Sequence, residues 1–462
     1  MIRKTPQAIK EIASLFIRRN KQVFLVGGAV RDALRGEKNS DWDLATDAAP
    51  EEAAAIVREA GGKTFPTGIR HGTITAFYKQ VKTEITTFRT EAGHSDGRRP
   101  DEVRFTATIE EDLLRRDFTM NACALRLPSG ELVDPFGGAR DIKAKIIRCV
   151  GDPARRFGED GLRPLRAARF AAQLGFEIDR ETLGAVAGAL PVCAKVSKER
   201  VRDEIMKMLA SPLPSRAFLL MEKTGLLELF LPELAVCREV EQKGFHRFDV
   251  LDHSLLACDY AARRGYSIEL RLAALLHDIG KPVIRKIDES GVWTFYGHAE
   301  MGADIAKVVL SRLRFPNAVI DAVCALVKEH MFHYTPDWTD AAVRRFIARA
   351  GEDRLKDLWR LRRADAFGLA GSETEPESLL QLADRVEEVL AKGRAFSIKD
   401  LAVSGKDLMA IGVKPGKTMG ALLRALLETV LDDPAQNTRE KLLEIAGNSN
   451  LKYQIFTTNN TN

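Results

Sequence analysis

The chain has 462 residues, 45% of them hydrophobic and 29% charged, and its 70 basic and 65 acidic residues give a net charge of +5. This length exceeds what one hydrophobic core organises, and about 150 residues per domain predicts roughly three domains. No uninterrupted apolar run approaches the ~18 residues of a membrane span, which argues against a membrane-spanning helix. The slight basic excess is compatible with an RNA partner without establishing one.

The N-terminal segment and the cysteines bear on the cellular compartment. Ile9, Ile12, Ala13 and Phe16 recur at helical spacing, which predicts an amphipathic first helix. A transit peptide is the alternative, but Glu11 interrupts it and no cleavage pattern follows. The cysteines form no C-x-x-C pair, which is typical of reduced core residues: Cys123, Cys149, Cys193, Cys237, Cys258 and Cys324. We therefore expect a cytoplasmic protein.

An apolar run that ends in two glycines follows the first helix. Val23–Val26 predicts a buried strand, and Gly27 and Gly28 permit a sharp turn and a close approach to a ligand. The next residues predict a short helix whose N-terminal amides suit a phosphate. Arg31 adds positive charge to this arrangement.

Two acids separated by one residue come next. Asp41 and Asp43 project to the same side if their segment is a strand, and two carboxylates on one face can hold divalent cations. Glu84 lies in another strand-like run that could bring a third carboxylate beside them. The alternatives are a solvated acidic loop for Asp41 and Asp43 and an exposed strand position for Glu84.

The hydrophobic pattern divides the chain into parts of different character. Short β-rich runs alternate with helical stretches as far as about residue 150, which predicts an α/β or α+β head. Beyond Gly151 the periodic segments are rich in arginine, alanine and leucine, which predicts helices throughout. The predicted domains are the head (1–150), a helical neck and body (151–245), a helical domain that holds most remaining histidines (246–370), a helical tail (371–450) and a frayed terminus (451–462).

Five motifs occur in a fixed order along the first half of the chain: GGxxRD at 27–32, DxD at 41–43, RRDFTMNA at 115–122, GEDGLRPLRAARFAAQLGF at 158–176 and SKERVRDEIMKML at 197–209. This series resembles the class II CCA-adding enzyme and poly(A) polymerase family of template-independent nucleotidyltransferases. The resemblance covers residues 23–209. It implies a polymerase-β-like head, an all-helical body and the addition of CMP and AMP, from CTP and ATP, to the 3′ end of tRNA.

The resemblance also implies roles for residues of the head. Asp41 and Asp43, with Glu84 as a third acid, would hold two Mg²⁺ ions at the catalytic centre. Gly27, Gly28 and Arg31 would cradle the triphosphate. The predicted contacts to the ribose and triphosphate in RRDFTMNA are Arg116, Asp117 and Asn121.

Selection of C and A without a template requires side chains that read the base edges. By resemblance to the family's EDxxR motif, Asp160 and Arg163 are the reading pair and Glu159 orients them. On a helix, their spacing would group Arg163 with both acids. A carboxylate can accept from the amino group that C and A share, while a guanidinium donates to ring acceptors. Arg166 and Arg169 complete the predicted nucleotide contacts. An ordinary helix-stabilising Glu and Arg pair is the alternative.

The segment TEAGHSDGRRPDEVRF, residues 90–105, has glycines, a proline and mixed charges, which predicts a flexible loop. In the family, a loop at this place moves between C addition and A addition. Its completeness here argues against an enzyme that adds only C.

The histidine-rich block resembles the HD metal-dependent phosphohydrolase superfamily through an ordered series: His253, His277, Asp278, His298, His330 and Asp365. Imidazoles and carboxylates suit Mn²⁺, Ni²⁺, Fe²⁺, Zn²⁺ or Mg²⁺. His277 and Asp278 are consecutive on a predicted helix, about 100° apart, so one ion can contact both.

By the same resemblance, His253 and Asp365 would complete the first metal site. His298 and His330 match positions that bind a second ion or substrate phosphates, and Lys281 could meet a substrate phosphate. A metal-bound water would then attack a phosphoester. The alternative is a catalytically silent domain that keeps these residues for stability or faces tRNA.

The motif series favours a tRNA nucleotidyltransferase that adds CCA, with tRNA, CTP and ATP as partners. An A-adding enzyme or a poly(A) polymerase shares the same head and is an alternative. Another alternative is an HD phosphohydrolase whose head merely recruits RNA. A non-catalytic RNA-binding protein is disfavoured by the presence of both Asp41 and Asp43. The sequence leaves the oligomeric state open.

Overall fold

The structure, a computed structural model, describes residues 5–38, 41–92, 102–241, 248–373, 377–393 and 395–458. Its internal contacts group the chain into two units, Met1–Ala235 with Arg312–Arg314, and Val236–Ser311 with Phe315–Asn462. Among the described helices, none has the length and apolar character that crossing a membrane requires. The finer division into a head, body, histidine-rich domain and tail stays a prediction.

The first unit opens with the amphipathic helix α1 (Gln7–Arg18), whose buried residues include the predicted Ile9, Ile12, Ala13 and Phe16. The strands of this unit are β1 (Val23–Val26), β2 (Trp42–Thr46), β3 (Lys63–Gly68), β4 (Thr73–Tyr78), β5 (Val81–Thr87), β6 (Arg89–Ala92), β7 (Glu102–Phe105), β8 (Ala124–Arg126), β9 (Leu132–Val133), β10 (Ile146–Ile147) and β11 (Glu177–Ile178). The following helices are α2 (Gly28–Arg35), α3 (Pro50–Glu59), α4 (Ile109–Leu114), α5 (Gly138–Ala144), α6 (Pro153–Glu159), α7 (Arg163–Leu174), α8 (Arg180–Gly184), α9 (Val186–Cys193), α10 (Lys198–Leu209), α11 (Ser215–Lys223), α12 (Leu226–Phe230) and α13 (Pro232–Ala235).

A seven-stranded mixed sheet in the order β3-β4-β5-β2-β1-β8-β9 forms the centre of the predicted head. Side chains alternate across β1, so Leu25 joins a core with α1 and α3, while Phe24 and Val26 join a second core with α4. The β2 and β5 strands run parallel, and their register places Asp43 opposite Glu84. This non-local pairing brings the predicted acids to one place.

Residues 152–235 are predominantly helical as predicted, apart from the two-residue strand β11, which pairs with β10. The helical spacing considered for the EDxxR motif does not run through all of it. Helix α6 ends at Glu159, Asp160 is extended with φ −144° and ψ 109°, and α7 begins at Arg163. Gly161 lies in this break, where a Cβ would be 2.5 Å from the Val192 oxygen and 2.7 Å from the Cys193 nitrogen.

We expect Gly161→Ala to destabilise the protein by about 1–3 kcal/mol, because a methyl group there overlaps backbone atoms that cannot easily move. Denaturant unfolding measures the change. Gly158→Ala is the matched control, because Gly158 is a helical glycine with no atom within 4 Å of its added Cβ. That control should be neutral or stabilising by up to about 1 kcal/mol. Equal effects of the two substitutions would contradict this account of the break.

The second unit is predominantly helical. Its helices are α14 (Val250–Arg263), α15 (Ile268–Leu276), α16 (Lys281–Ile284), α17 (His298–Arg312), α18 (Asn317–Glu329), α19 (Asp340–Ala350), α20 (Leu355–Ala370), α21 (Glu377–Lys392), α22 (Gly405–Ala410), α23 (Lys417–Asp432) and α24 (Arg439–Thr458). The block predicted to be all helical also contains an antiparallel pair, β12 (Lys286–Ile287) and β13 (Trp293–Thr294). Helix α24 reaches Thr458, further than the frayed end predicted for residues 451–462, of which 459–462 lie outside the described residues.

Candidate functional site

Carboxylates gather at one wall of a cavity of about 490 Å³ in the first unit. Asp43 and Glu84 line this cavity from β2 and β5, and the exposed Asp41 immediately precedes β2. Burial, then the charge of Glu84 and, more weakly, that of Asp41 raise the pKa of Asp43 from 3.8 to about 6, although Arg116 opposes the rise. The cluster therefore has an excess of negative charge, and its oxygen atoms are the ligand type that Mg²⁺ prefers.

The raised pKa of Asp43 gives a prediction about stability without divalent ions. The folded state binds this proton more tightly than the unfolded state, so ionisation costs stability as pH rises from 3.8 to about 6, and the loss persists above that pH. In EDTA at about pH 8, Asp43→Asn should therefore raise the melting temperature, and the gain should vanish below pH 3.8. Mg²⁺ should stabilise the wild type more than the variant. Calorimetry checks this, and a lower melting temperature of the variant at the higher pH would contradict it.

A glycine turn suited to an anion lines the same cavity beside these carboxylates. Gly27 has φ +67°, a conformation that favours glycine, and α2 begins directly after it at Gly28. Both glycines line the cavity, so the amides of the first turn of α2 lie at its wall. Arg31 and Arg116 line the cavity as well, and a Cβ added to Gly27 would lie 3.4 Å from Nη1 of Arg116.

A series of hydrogen bonds connects four polar residues that line the cavity. Nη1 of Arg31 donates to the Asn121 side-chain oxygen at 3.0 Å, and Nδ2 of Asn121 donates to Oδ1 of Asp117 at 3.1 Å. Nε of Arg166 donates to Oδ2 of Asp117 at 2.8 Å. Burial alone would raise the pKa of Asp117, but Arg166 and the hydrogen bonds from Asn121 and the Phe118 amide outweigh it and lower the pKa to about 2. The structure thus brings together the predicted Arg31, Asp117, Asn121 and Arg166.

The predicted base-reading residues are placed in part as expected. Arg163 and Asp160 line the cavity, and Nη1 of Arg163 donates to Oε2 of Glu159 at 2.7 Å. The expected helical grouping of Asp160 with Arg163 is wrong, because the helix breaks between them. Oδ2 of Asp160 instead accepts from Nη2 of Arg200 at 2.9 Å. Nε of Arg169 donates to Oε2 of Glu204 at 2.6 Å, and Arg169 is not among the residues that line the cavity, so its nucleotide contact stays a prediction.

Sequence reasoning missed several residues at this site. Arg89, Arg115 and Phe170 line the cavity, and Arg200 holds Asp160. Arg115 could have been predicted, because it directly precedes Arg116 in the RRDF motif. No pattern in the sequence around Arg200 indicates that it contacts Asp160. Of the predicted loop, residues 93–101 lie outside the described residues, and the flanking segments form the antiparallel pair β6 and β7.

The second unit brings all six predicted histidines and aspartates into one buried cluster. Nε2 of His253 and Nε2 of His277 are 2.9 Å apart, and they lie 3.1 Å and 3.5 Å from Oδ1 of Asp365. Nε2 of His298 lies 3.2 Å from Nε2 of His330. Two triads have ligand atoms within 4.8 Å of one another, His253, His277 and Asp365, and His277, Asp278 and His330.

The histidine tautomers favour metal binding. Nδ1 of His277, His298 and His330 lies 2.8, 2.8 and 2.6 Å from a backbone carbonyl oxygen in each case, so each ring donates from Nδ1. Their Nε2 lone pairs are therefore directed into the cluster, as in metal-bound histidines. The chemistry of this donor set fits a divalent transition metal.

Asp278 contacts both halves of the cluster. Its Oδ2 lies 3.2 Å from Nε2 of His253 and 3.3 Å from Nε2 of His277, while Oδ1 lies 3.3 Å and 3.7 Å from Nε2 of His298 and His330. Burial raises the pKa of Asp278, but Lys281 and then His277 outweigh it and hold the pKa well below its ordinary value. Lys281 and His298 also line an adjacent cavity of about 700 Å³.

Three segments of the chain match known families. Residues 23–148 match the Poly A polymerase head domain, residues 175–237 match the "Probable RNA and SrmB- binding site of polymerase A", and residues 287–446 match the tRNA nucleotidyltransferase domain 2. The third match spans parts of both the histidine-rich block and the predicted tail.

Similarity to characterised proteins extends over most of the chain. An A-adding tRNA nucleotidyltransferase of Deinococcus radiodurans is 38% identical over 87% of this chain and 90% of that protein. A CC-adding tRNA nucleotidyltransferase of Thermus thermophilus is 36% identical over 88% of this chain and 89% of that protein. The crystal structure of the Bacillus stearothermophilus CCA-adding enzyme with CTP has a TM-score of 0.71 and 29% identity, covering 97% of this chain and 98% of that one. This likeness confirms the predicted fold class of a mixed-sheet head followed by a helical body.

Proposed function

Because the chain belongs to the tRNA nucleotidyltransferase family, we propose that it completes tRNA 3′ ends by adding CMP and AMP from CTP and ATP. The observation that carries the proposal is the cavity where Asp43 and Glu84 face the Gly27 turn. The candidate metal ligands and the candidate phosphate-binding turn would thereby share one space. Enzymes of this family use a divalent metal such as Mg²⁺.

The reaction transfers a nucleotidyl group. The oxygen of the terminal RNA hydroxyl forms a bond to the α-phosphorus and releases its proton to water, the bond between the α-phosphorus and the bridging oxygen breaks, and pyrophosphate leaves. Two Mg²⁺ held by Asp41, Asp43 and Glu84 would stabilise the attacking oxygen and the leaving group. The α2 amides, Arg31 and Arg116 orient the triphosphate and neutralise its charge.

Base selection depends on how firmly the reading residues are held. Arg163 donates to Glu159 and, from Nη2, to the Arg115 carbonyl oxygen at 2.9 Å. Asp160 accepts from Arg200 and from the Leu162 amide, so its carboxylate is fixed at the cavity wall. A fixed carboxylate can accept from the amino group of C or A and repels the carbonyl edge that G and U present at the corresponding position.

The test supplies purified protein and Mg²⁺ with each nucleoside triphosphate separately. The acceptors are tRNA that lacks CCA, tRNA that ends in CC, and an unrelated RNA. Incorporation of C on the first acceptor and of A on the second is the expected result. Absence of C incorporation would contradict CCA addition, and extension of the unrelated RNA by A would indicate a poly(A) polymerase.

A second specificity has an observation in its favour. The relative that is 38% identical over 87% of this chain is an A-adding enzyme. In that case the protein would extend only tRNA that ends in CC. The same three acceptors distinguish the two specificities.

We also propose a phosphohydrolase activity for the histidine cluster of the second unit. Four imidazoles and two carboxylates converge in the buried interior of this unit, where apolar side chains would ordinarily pack. Nζ of Lys281 lies at the cluster, 2.7 Å from Oδ2 of Asp278. A bound divalent metal would supply an activated water for attack on a phosphoester. His298 and Lys281 extend from the cluster to the adjacent cavity, where they could contact a substrate phosphate. Hydrolysis of a chromogenic phosphodiester with Mn²⁺ or Ni²⁺ tests this activity, and its absence with every divalent metal would contradict it.

A further inference from the structure

One carboxylate of the first unit is completely buried behind the nucleotide cavity. Asp112 in α4 is 0% exposed, and it is not among the residues that line the cavity. Desolvation strongly disfavours an ionised carboxylate in such a position unless it is paired. The partners of Asp112 therefore indicate its role.

Two consecutive arginines donate hydrogen bonds to the two carboxylate oxygens of Asp112. Arg115 donates to Oδ1 from Nε at 3.0 Å and from Nη2 at 2.7 Å. Arg116 donates to Oδ2 from Nη2 at 3.1 Å. Burial would raise the pKa of Asp112, but these two guanidinium groups outweigh it and keep the pKa below 3.8. Asp112 is thus ionised and holds both arginines by charge-assisted hydrogen bonds.

Both arginines line the cavity, where the side chains of Arg115 and Arg116 are 17% and 18% exposed. Nη1 of Arg116 lies near the Gly27 turn, and Oδ2 of Asp43 is 3.5 Å from the position of a Cβ at Gly27. The guanidinium groups of Arg115 and Arg116 repel each other, and the carboxylate of Asp43 attracts Arg116. Without Asp112, Arg116 would be drawn toward Asp43 and would compete there with a divalent cation.

We propose that Asp112 is a positioning residue for nucleotide binding, which holds Arg115 and Arg116 toward the triphosphate and keeps Arg116 apart from the metal-binding carboxylates. The inference rests on the proposed function, since it requires a nucleoside triphosphate in this cavity. Asp112 also accepts from the backbone amide of Arg89 at 3.4 Å. One buried side chain therefore contacts three residues of the cavity wall.

The test compares Asp112→Asn with Asp141→Asn in the full chain. Asp141 is a matched carboxylate, 1% exposed, which accepts from Thr119 at 2.8 Å and Arg148 at 3.2 Å and is not among the cavity-lining residues. D112N should raise the KM for CTP and ATP, and the Kd of Mg²⁺-ATP by calorimetry, about tenfold or more. The KM for tRNA should stay unchanged. D141N should lower the melting temperature without changing nucleotide affinity.

Further variants keep the inference testable if D112N does not fold. D112E retains the charge but displaces the carboxylate, so it should raise the same KM values. In an R115Q/R116Q background, D112N should add no further loss of nucleotide affinity, because its effect passes through these arginines. Should neither Asp112 variant fold, unchanged nucleotide affinity of R115Q/R116Q would overturn the inference.

Wild-type nucleotide affinity in folded D112N, or an equal loss in D141N, would also overturn it. The calorimetric measurement needs no tRNA, so it separates this inference from the proposed function. A wild type that binds ATP but transfers nothing would contradict the proposed function alone.

Discussion

Simultaneous replacement of Asp41 and Asp43 by alanine should reduce nucleotide addition by on the order of 10³-fold or more. Asp43 faces Glu84 across two parallel strands, and the charges of Glu84 and Asp41 both raise its pKa. The variant would leave Glu84 as the remaining acid of the cluster, and one carboxylate does not hold two divalent ions at a fixed separation. Single-turnover incorporation on tRNA measures the loss.

Two controls isolate the role of these acids. Asp47→Asn removes a nearby charge whose carboxylate accepts from the Gln22 amide and is not among the cavity-lining residues, so nucleotide addition should persist. His277→Ala should also leave nucleotide addition intact, because His277 belongs to the cluster of the second unit. Substantial activity of the D41A/D43A variant, with a normal melting curve, would contradict the assignment of the catalytic centre.

Replacement of Asp278 by alanine should abolish tight divalent-metal binding in the second unit. One oxygen of Asp278 faces His253 and His277, and the other faces His298 and His330. Asp278 would therefore hold divalent metal together with both pairs of histidines, and its loss should weaken metal binding by both pairs. The expected loss of affinity is at least about 10–100-fold, measured by metal analysis after dialysis against a Ni²⁺ or Mn²⁺ buffer.

Asp365→Ala is the matched variant for this prediction. Asp365 contacts His253 at 3.1 Å and His277 at 3.5 Å through Oδ1. Its removal should weaken one metal position and leave that of His298 and His330 occupied. Loss of the same amount of metal from D278A and D365A would argue against the proposed role of Asp278 in metal binding by both pairs of histidines. Nucleotide addition should be unchanged in both variants.

Much of this protein followed from local sequence patterns. A continuous apolar run identified the buried strand Val23–Val26, and the glycines after it indicated a phosphate-binding turn. Helical spacing identified α1 and the helices beyond Gly151. Such patterns depend on residues within one or two turns of each other, so they can be recognised without knowledge of the packing.

The partners of charged residues did not follow from those patterns. Spacing on a helix would group Asp160 with Arg163, but α6 ends at Glu159 and α7 begins at Arg163. Asp160 instead contacts Arg200, which belongs to α10. Spacing likewise gave no reason to single out Asp112, because its significance lies in complete burial beneath two arginines.

The sequence by itself determined which residues are candidates for the chemistry, since the motifs place acids, arginines and histidines in a recognisable order. Only the tertiary structure decided which of them act together. The parallel pairing of β2 with β5 joins Asp43 to Glu84, and the packing of α14, α15 and α20 joins His253 and His277 to Asp365. The physical reason is that a charge responds to every group within a few ångströms, whatever their separation along the chain, and chain folding alone sets those distances.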